Sequence, residues 1–175
     1  MAAAVLFTVI TNIIAMPKEH QAGVVFLPDE KFLPSIVRDI GEAESEITCS
    51  LYMFKTDGNS SDSTGLILDG MLNALNRGVK VSLLFDEGKD DDITTEFNTY
   101  TGKVLEKAGA LVVFDDPERR LHTKMCVIDS DISYIGSHNY TFSAFRRNAE
   151  TTVRIKSAEI AREARQYIME TGLQQ

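Results

Sequence analysis

Apolar and polar positions alternate along the chain in two periods, and the periods mark out its elements. Short apolar runs rich in β-branched residues predict strands at residues 22–27 (AGVVFL), 46–54 (EITCSLYMF), 79–85 (VKVSLLF) and 110–114, with the first of them buried. Between them the spacing turns helical. Phe32, Ile36, Val37 and Ile40 recur on one face of a helix from Pro28-Asp29 to about residue 43. Asp29 is its expected N-cap, and Pro34 sits in the first turn, where its missing N–H costs little. Leu66, Leu68, Met71, Leu72 and Leu75 predict a second helix at 65–76, stopped by Gly78. The acid-rich stretch GKDDDITTE leads into a third that ends near Gly109. Residues 121–128 and 132–135 read as a hairpin turning at Asp129-Ser130-Asp131. A strand at 151–155 and a helix at 158–171, with Ile160, Ala164, Tyr167 and Ile168 inward, close the chain. This rhythm predicts an α/β fold, a sheet with helices on both faces. No internal repeat is visible.

At 175 residues, 43% hydrophobic and 25% charged, the chain suits one soluble domain with a sizeable core. The polar stretch at 55–64 (KTDGNSSDST) is expected to be an exposed loop. Cys49 and Cys126 both lie in apolar strand-like runs and are expected to be reduced core thiols in preference to a disulfide or a metal pair; nothing has zinc-ligand spacing. His20 is expected at the surface. Residues 1–16 are apolar but lack a basic start and a clear cleavage site, and Thr8, Thr11 and Asn12 interrupt them. They fit neither a signal peptide nor a spanning helix well. The expectation is an N-terminal extension over residues 1–21, an added strand or docking element, followed by one domain at 22–175. A cytoplasmic location is favoured, with membrane association or export as the alternative.

The net charge of −8 excludes a protein that coats nucleic acid with its whole surface. Basic residues nevertheless gather between Arg119 and Lys156: Arg119, Arg120, Lys124, Arg146, Arg147, Arg154 and Lys156, against Asp129, Asp131 and Glu150. The same stretch holds the candidate chemistry. If HTKMC is a strand, His122 and Lys124 project from one face, a receptor for a phosphate oxyanion. Gly136, Ser137 and Asn139 follow the second strand, and Asn148 and Glu150 complete the set. Such a site would work on a phosphodiester. A neutral His122 can attack phosphorus, and Lys124 and Asn139 can stabilise the non-bridging oxygens. Glu150 can fix the tautomer of His122. No metal or other cofactor is required, because Lys124 and His122 supply the positive charge. A second group must protonate the leaving alkoxide.

The pattern His122-x-Lys124-x4-Asp129-x6-Gly136-Ser137-x-Asn139, with Asn148 and Glu150 beyond it, resembles the HKD signature of the phospholipase D superfamily. It is most similar to single-motif members, the Nuc-type endonucleases and the mitochondrial cardiolipin hydrolase group. The resemblance spans about residues 22–175 and implies a phospholipase D-like mixed sheet flanked by helices on both faces. It further implies that one motif comes from each of two copies, hence a homodimer with His122 facing His122 across a two-fold axis. It gives Asp129 a structural part. His138 departs from the aromatic or apolar residue usual between the site positions, and a strand end should turn it away from Ser137 and Asn139, into a packing or surface role.

The leading expectation is a metal-independent nuclease acting through phosphohistidine on DNA or RNA. Arg120, Arg146 and Arg147 are candidate substrate contacts. The alternatives are a phospholipid hydrolase of the phospholipase D or cardiolipin type, supported by the apolar N-terminus, and a nuclease subunit silent until protein partners in a larger complex bind.

Overall fold

The computed structural model describes residues 18–56, 63–89 and 92–173. The chain runs β1 (Gly23–Pro28), a 3-10 turn (Asp29–Lys31), α1 (Phe32–Glu42), β2 (Glu46–Leu51), α2 (Ser63–Asn76), β3 (Lys80–Phe85) and α3 (Ile93–Lys107). It continues through β4 (Leu111–Phe114), β5 (Lys124–Ile128), β6 (Ile132–Gly136), α4 (Phe142–Arg146), β7 (Thr151–Lys156) and α5 (Ala158–Ile168). Among the described residues, seven strands make one mixed sheet in the order β1-β7-β6-β5-β2-β3-β4. The β2, β3 and β4 strands are parallel, joined by α2 and α3, and the remaining pairs are antiparallel.

Alternation along the strands divides the core. Val81, Leu83 and Phe85 point with Ile47, Cys49 and Leu51 towards Phe32, Ile36 and Ile40 of α1 and Ile67 and Met71 of α2. Leu84, Met125 and Val127 point to the other face, where Ala161, Ala164 and Ile168 of α5 cover them. Helices therefore pack on both faces, as the sequence predicts. α1 is fixed further by its buried Asp39, whose carboxylate accepts from Tyr134 Oη at 2.6 Å and from Arg154 Nε.

Antiparallel pairing decides where the chemistry collects. Leu51 pairs with Phe85 and with Lys124, Met125 with Ile135, Gly136 with Thr152, and Pro28 with Thr151. The ends of β1, β2, β3 and β6 and the starts of β5 and β7 thus share one end of the sheet.

Several expectations need correction. The strand expected to be buried at 22–27 is an edge strand, with Val24 and Phe26 60% and 61% exposed and only Leu27 buried. Asp29 does not cap α1. It begins the 3-10 turn at φ +48 and turns its carboxylate to Glu150. In α5 the buried stripe is Ala161, Ala164 and Ile168, leaving Ile160 partly buried and Tyr167 exposed. Cys49 and Cys126 are not free thiols. The antiparallel register of β2 and β5 sets them directly opposite, and a disulfide joins them across a sequence separation of 77. That proximity belongs to strand pairing, which composition and spacing do not reveal.

His20 is not free at the surface, since its Nε2 lies 2.8 Å from Glu163 of α5. Residues 1–17, with the expected N-terminal element, and residues 57–62 of the expected loop lie outside the described residues. At that loop's edges Thr56 is buried and α2 already begins at Ser63. Among the described residues no helix is long and apolar enough to cross a membrane.

Candidate active site

His122 lies in the extended segment just before β5, and Lys124 is the first residue of that strand. Both turn to the same side, as alternation predicts, and both meet Tyr52 at the end of β2. The His122 ring lies 4.8 Å from the Tyr52 ring, and Lys124 Nζ lies 4.8 Å above that ring while donating to His122 O at 2.9 Å. Burial pulls the Lys124 ammonium down to about 8, although the Glu150 and Asp86 carboxylates oppose the shift. Partial burial, and then the Lys124 charge, hold His122 below its ordinary value. An imidazole so placed is neutral, and therefore nucleophilic, at neutral pH.

The second part of the site hangs on β6 and β7. Ser137 N–H donates to Thr151 O at 2.8 Å, and Thr151 N–H donates back to Ser137 Oγ at 3.0 Å. Ser137 Oγ donates to Glu150 Oε2, and Asn148 Nδ2 donates to Glu150 Oε1 at 3.0 Å. Gly136 is required by this closeness, because a Cβ there would stand 2.4 Å from Thr151 O and 2.5 Å from Thr152 Cα. Asn139 presents a buried Oδ1 that meets no donor among the described residues.

Glu150 is clamped from β1. Asp29 N–H donates to Glu150 O and Glu150 N–H to Asp29 Oδ1, both at 2.9 Å. His138 supports this clamp: Nε2 lies 3.1 Å from Asp29 O, Nδ1 lies 2.8 Å from Thr152 Oγ1, and the ring stacks on Phe32 at 4.6 Å. It is 1% exposed, a packing residue turned away from the site as expected.

The structure therefore draws His122, Lys124 and Glu150 to one end of the sheet, with Gly136, Ser137, Asn139 and Asn148 around them. It does not form the expected bond between Glu150 and His122. Both Glu150 oxygens are engaged by Ser137 and Asn148, and the carboxylate acts on Lys124 instead. Asp129 sits at the far end of β5. Its carboxylate accepts from the backbone N–H of Glu44, Ser45 and Glu46 at 2.9, 2.7 and 3.1 Å, a structural tie between the hairpin turn and the start of β2. Arg146 and Arg147 help to line a 490 Å³ cavity beside Asn148, Arg146 donating to Ser63 Oγ and Arg147 lying 5.2 Å from the Phe142 ring. Arg120 donates to Tyr52 Oη at 2.9 Å and to Asp92 at 3.3 Å. Among the described residues, no three His, Cys, Asp or Glu side chains stand close enough to hold a metal ion.

Sequence reasoning missed Tyr52, Asp29 and Asn98. Asn98, buried in α3, donates to Tyr52 O at 2.9 Å and to Asp86 O at 3.1 Å, and accepts from Phe54 N–H at 2.9 Å. Each residue lies far along the chain from the motif.

Residues 36–171 match the family described as cardiolipin synthase, PLD-like domain. The chain belongs to the phospholipase D superfamily. It is 32% identical over 136 residues to a phospholipase D of Rickettsia prowazekii, covering 78% of this chain and 60% of that protein. It is 30% identical over 123 residues to cardiolipin synthase B of Escherichia coli, covering 64% of this chain and 28% of that protein. The chain thus spans less than two thirds of the length of either relative. In fold it is similar to Nuc, a phospholipase D family member from Salmonella typhimurium, with a TM-score of 0.70 at 21% identity, covering 87% of this chain and 97% of that one.

Proposed function

We propose that this superfamily member is a phosphodiesterase that cuts nucleic acid through a covalent phosphohistidine. The observation that carries the reading is the neutral imidazole of His122 held against Tyr52 beside a Lys124 ammonium. A ring nitrogen of His122 attacks phosphorus, the P–O ester bond breaks, and the leaving alkoxide takes a proton. Water, giving a proton to the group that served as acid, then attacks phosphorus. A P–O bond forms, the P–N bond breaks, the imidazole returns and the phosphate monoester is released. Lys124 stabilises the non-bridging oxygens, most strongly in the transition state. The basic Arg119–Lys156 stretch, with Arg146 and Arg147 beside Asn148, favours a polyanionic strand. Arg120, tied to Tyr52, adds a further cation beside the site.

The alkoxide needs an acid that no second histidine near His122 supplies within one subunit, since His20 is tied to α5 and His138 packs on Phe32. A second copy would bring its own His122. A row of apolar side chains supports such a homodimer. Phe26 pairs with Val153 and Val153 with Ile135 one strand step below the site, and Phe26 and Ile135 are exposed. The same exposed row is also the feature that favours the second reading, hydrolysis of a phospholipid at a membrane surface.

The deciding experiment sets a labelled oligonucleotide against phospholipid liposomes. Strand cleavage by the wild-type chain in EDTA, absent in His122→Ala, supports the nuclease. Headgroup release without strand cleavage supports the lipid reading. Cleavage that persists in His122→Ala rejects the phosphohistidine. Activity that appears only on addition of a protein partner assigns the chain to a larger assembly.

A further inference from the structure

With Glu150 engaged by Ser137 and Asn148, a second carboxylate, outside the motif, holds the segment that carries His122. Asp86 directly follows β3 at the site end of the sheet and is wholly buried. Its Oδ1 accepts the N–H of Leu121, the residue before His122, at 2.7 Å, while its Oδ2 meets no donor among the described residues. The backbone of Asp86 is itself fixed, its N–H donating to Leu51 O at 3.3 Å and its carbonyl accepting from Asn98 at 3.1 Å. A buried carboxylate with an idle oxygen carries a desolvation cost, so it calls for a reason. Burial, and with it the charges of Lys124 and Arg120, disfavours the charged form of His122, and Asp86 favours it. Around Asp86 stand Arg120, His122 and Asp92, with Asp115 near it across the next strand end.

We propose that Asp86 is the positioning carboxylate of His122: it holds the histidine-bearing segment through Leu121 N–H, and its charge sustains the positive imidazole formed when nitrogen bonds to phosphorus or carries a proton. The proposal rests on the phosphohistidine reading for its catalytic meaning, but its geometry is independent of substrate. Asp86 takes within one subunit the part that spacing assigns to Glu150. Glu150 is left to balance Lys124.

Asp86→Asn keeps the size and an acceptor for Leu121 while removing the charge. The expected result is a fall in kcat of at least about tenfold with KM nearly unchanged. In the free protein, the NMR titration of the His122 ring should move to lower pH by about half a unit or more. Asp115→Asn, which neutralises the neighbouring buried carboxylate, should move neither. A folded Asp86→Asn chain with an unshifted His122 titration, or with unchanged kcat, overturns the proposal. If that variant fails to fold, the wild-type chain carries the test. The Leu121 amide resonance should follow the titration of Asp86 in acid, and a flat response overturns the assignment. The NMR arm needs no substrate, so a shifted titration in a chain that cleaves no phosphodiester rejects the proposed activity and leaves the Asp86–His122 coupling standing.

Discussion

The ring of Tyr52 lies 4.8 Å from that of His122 at an interplanar angle of 58°, and the Lys124 ammonium sits 4.8 Å over the same tyrosine. One side chain just after β2 is therefore the floor on which both His122 and Lys124 rest. Asn98 and Arg120 fix that floor through its carbonyl and its hydroxyl. Tyr52→Ala should lower kcat by about a hundredfold, because loss of the floor frees both groups by an ångström or more. Tyr52→Phe keeps the ring and loses only the Arg120 contact, so it should retain most activity. Steady-state kinetics of the pair checks this, and equal losses in both would place the effect in the hydroxyl.

The pH profile follows from the two site cations. His122 must be neutral to attack, so activity should rise with pH through a value below 6.5, the direction in which burial and Lys124 shift it. Lys124 must be charged, so activity should fall as pH rises through about 8. In the proposed homodimer the second His122 must carry the alkoxide's proton, so the basic fall begins with that imidazole and steepens as Lys124 titrates. Lys124→Arg should remove the steeper part because guanidinium does not titrate there. A profile still flat well above pH 9 would contradict the role of Lys124.

Gly136→Ala should be among the most damaging small substitutions. The added methyl would overlap the backbone of β7 at Thr151 and Thr152, so β6 and β7 must part where they hold Ser137 and Glu150. Loss of about 1–3 kcal/mol is expected for such overpacking, along with activity. Thermal unfolding beside kinetics measures both.

Asp129 ties the hairpin to β2 through three backbone N–H groups. Burial alone would raise its value, but these bonds hold it below the ordinary carboxylate range. Its contribution is thus present above the unfolded value near 4 and is lost as pH falls through the lower folded value. Asp129→Ala should destabilise by about 1–3 kcal/mol, chiefly above pH 4, and unfolding curves at pH 3 and 7 test the difference.

The Cys49–Cys126 disulfide predicts that the unfolded, unreduced chain takes up no alkylating agent at either residue. After reduction both should react, with the intact mass first rising by two hydrogens. Alkylation of the unreduced chain would show free thiols.

The linear chain by itself determined what depends on short spacing. Alternation put His122 and Lys124 on one side, periodicity placed the helices, and the fixed intervals from His122 to Glu150 named the superfamily and most of the site's residue types. Tertiary structure decided what depends on register between distant strands. It set Cys49 against Cys126, left β1 exposed at the edge of the sheet, and turned Asp29 from a helix cap into the clamp of Glu150. It also gave Tyr52, Asn98 and Asp86 their places under the histidine. Tyr52 and Asp86 directly follow β2 and β3 and Asn98 lies in α3, and the pairing of β2 with both β3 and β5 brings the two strand ends beside the histidine segment. Periodicity records which face a side chain takes. It carries no information about which other strand end that face will meet.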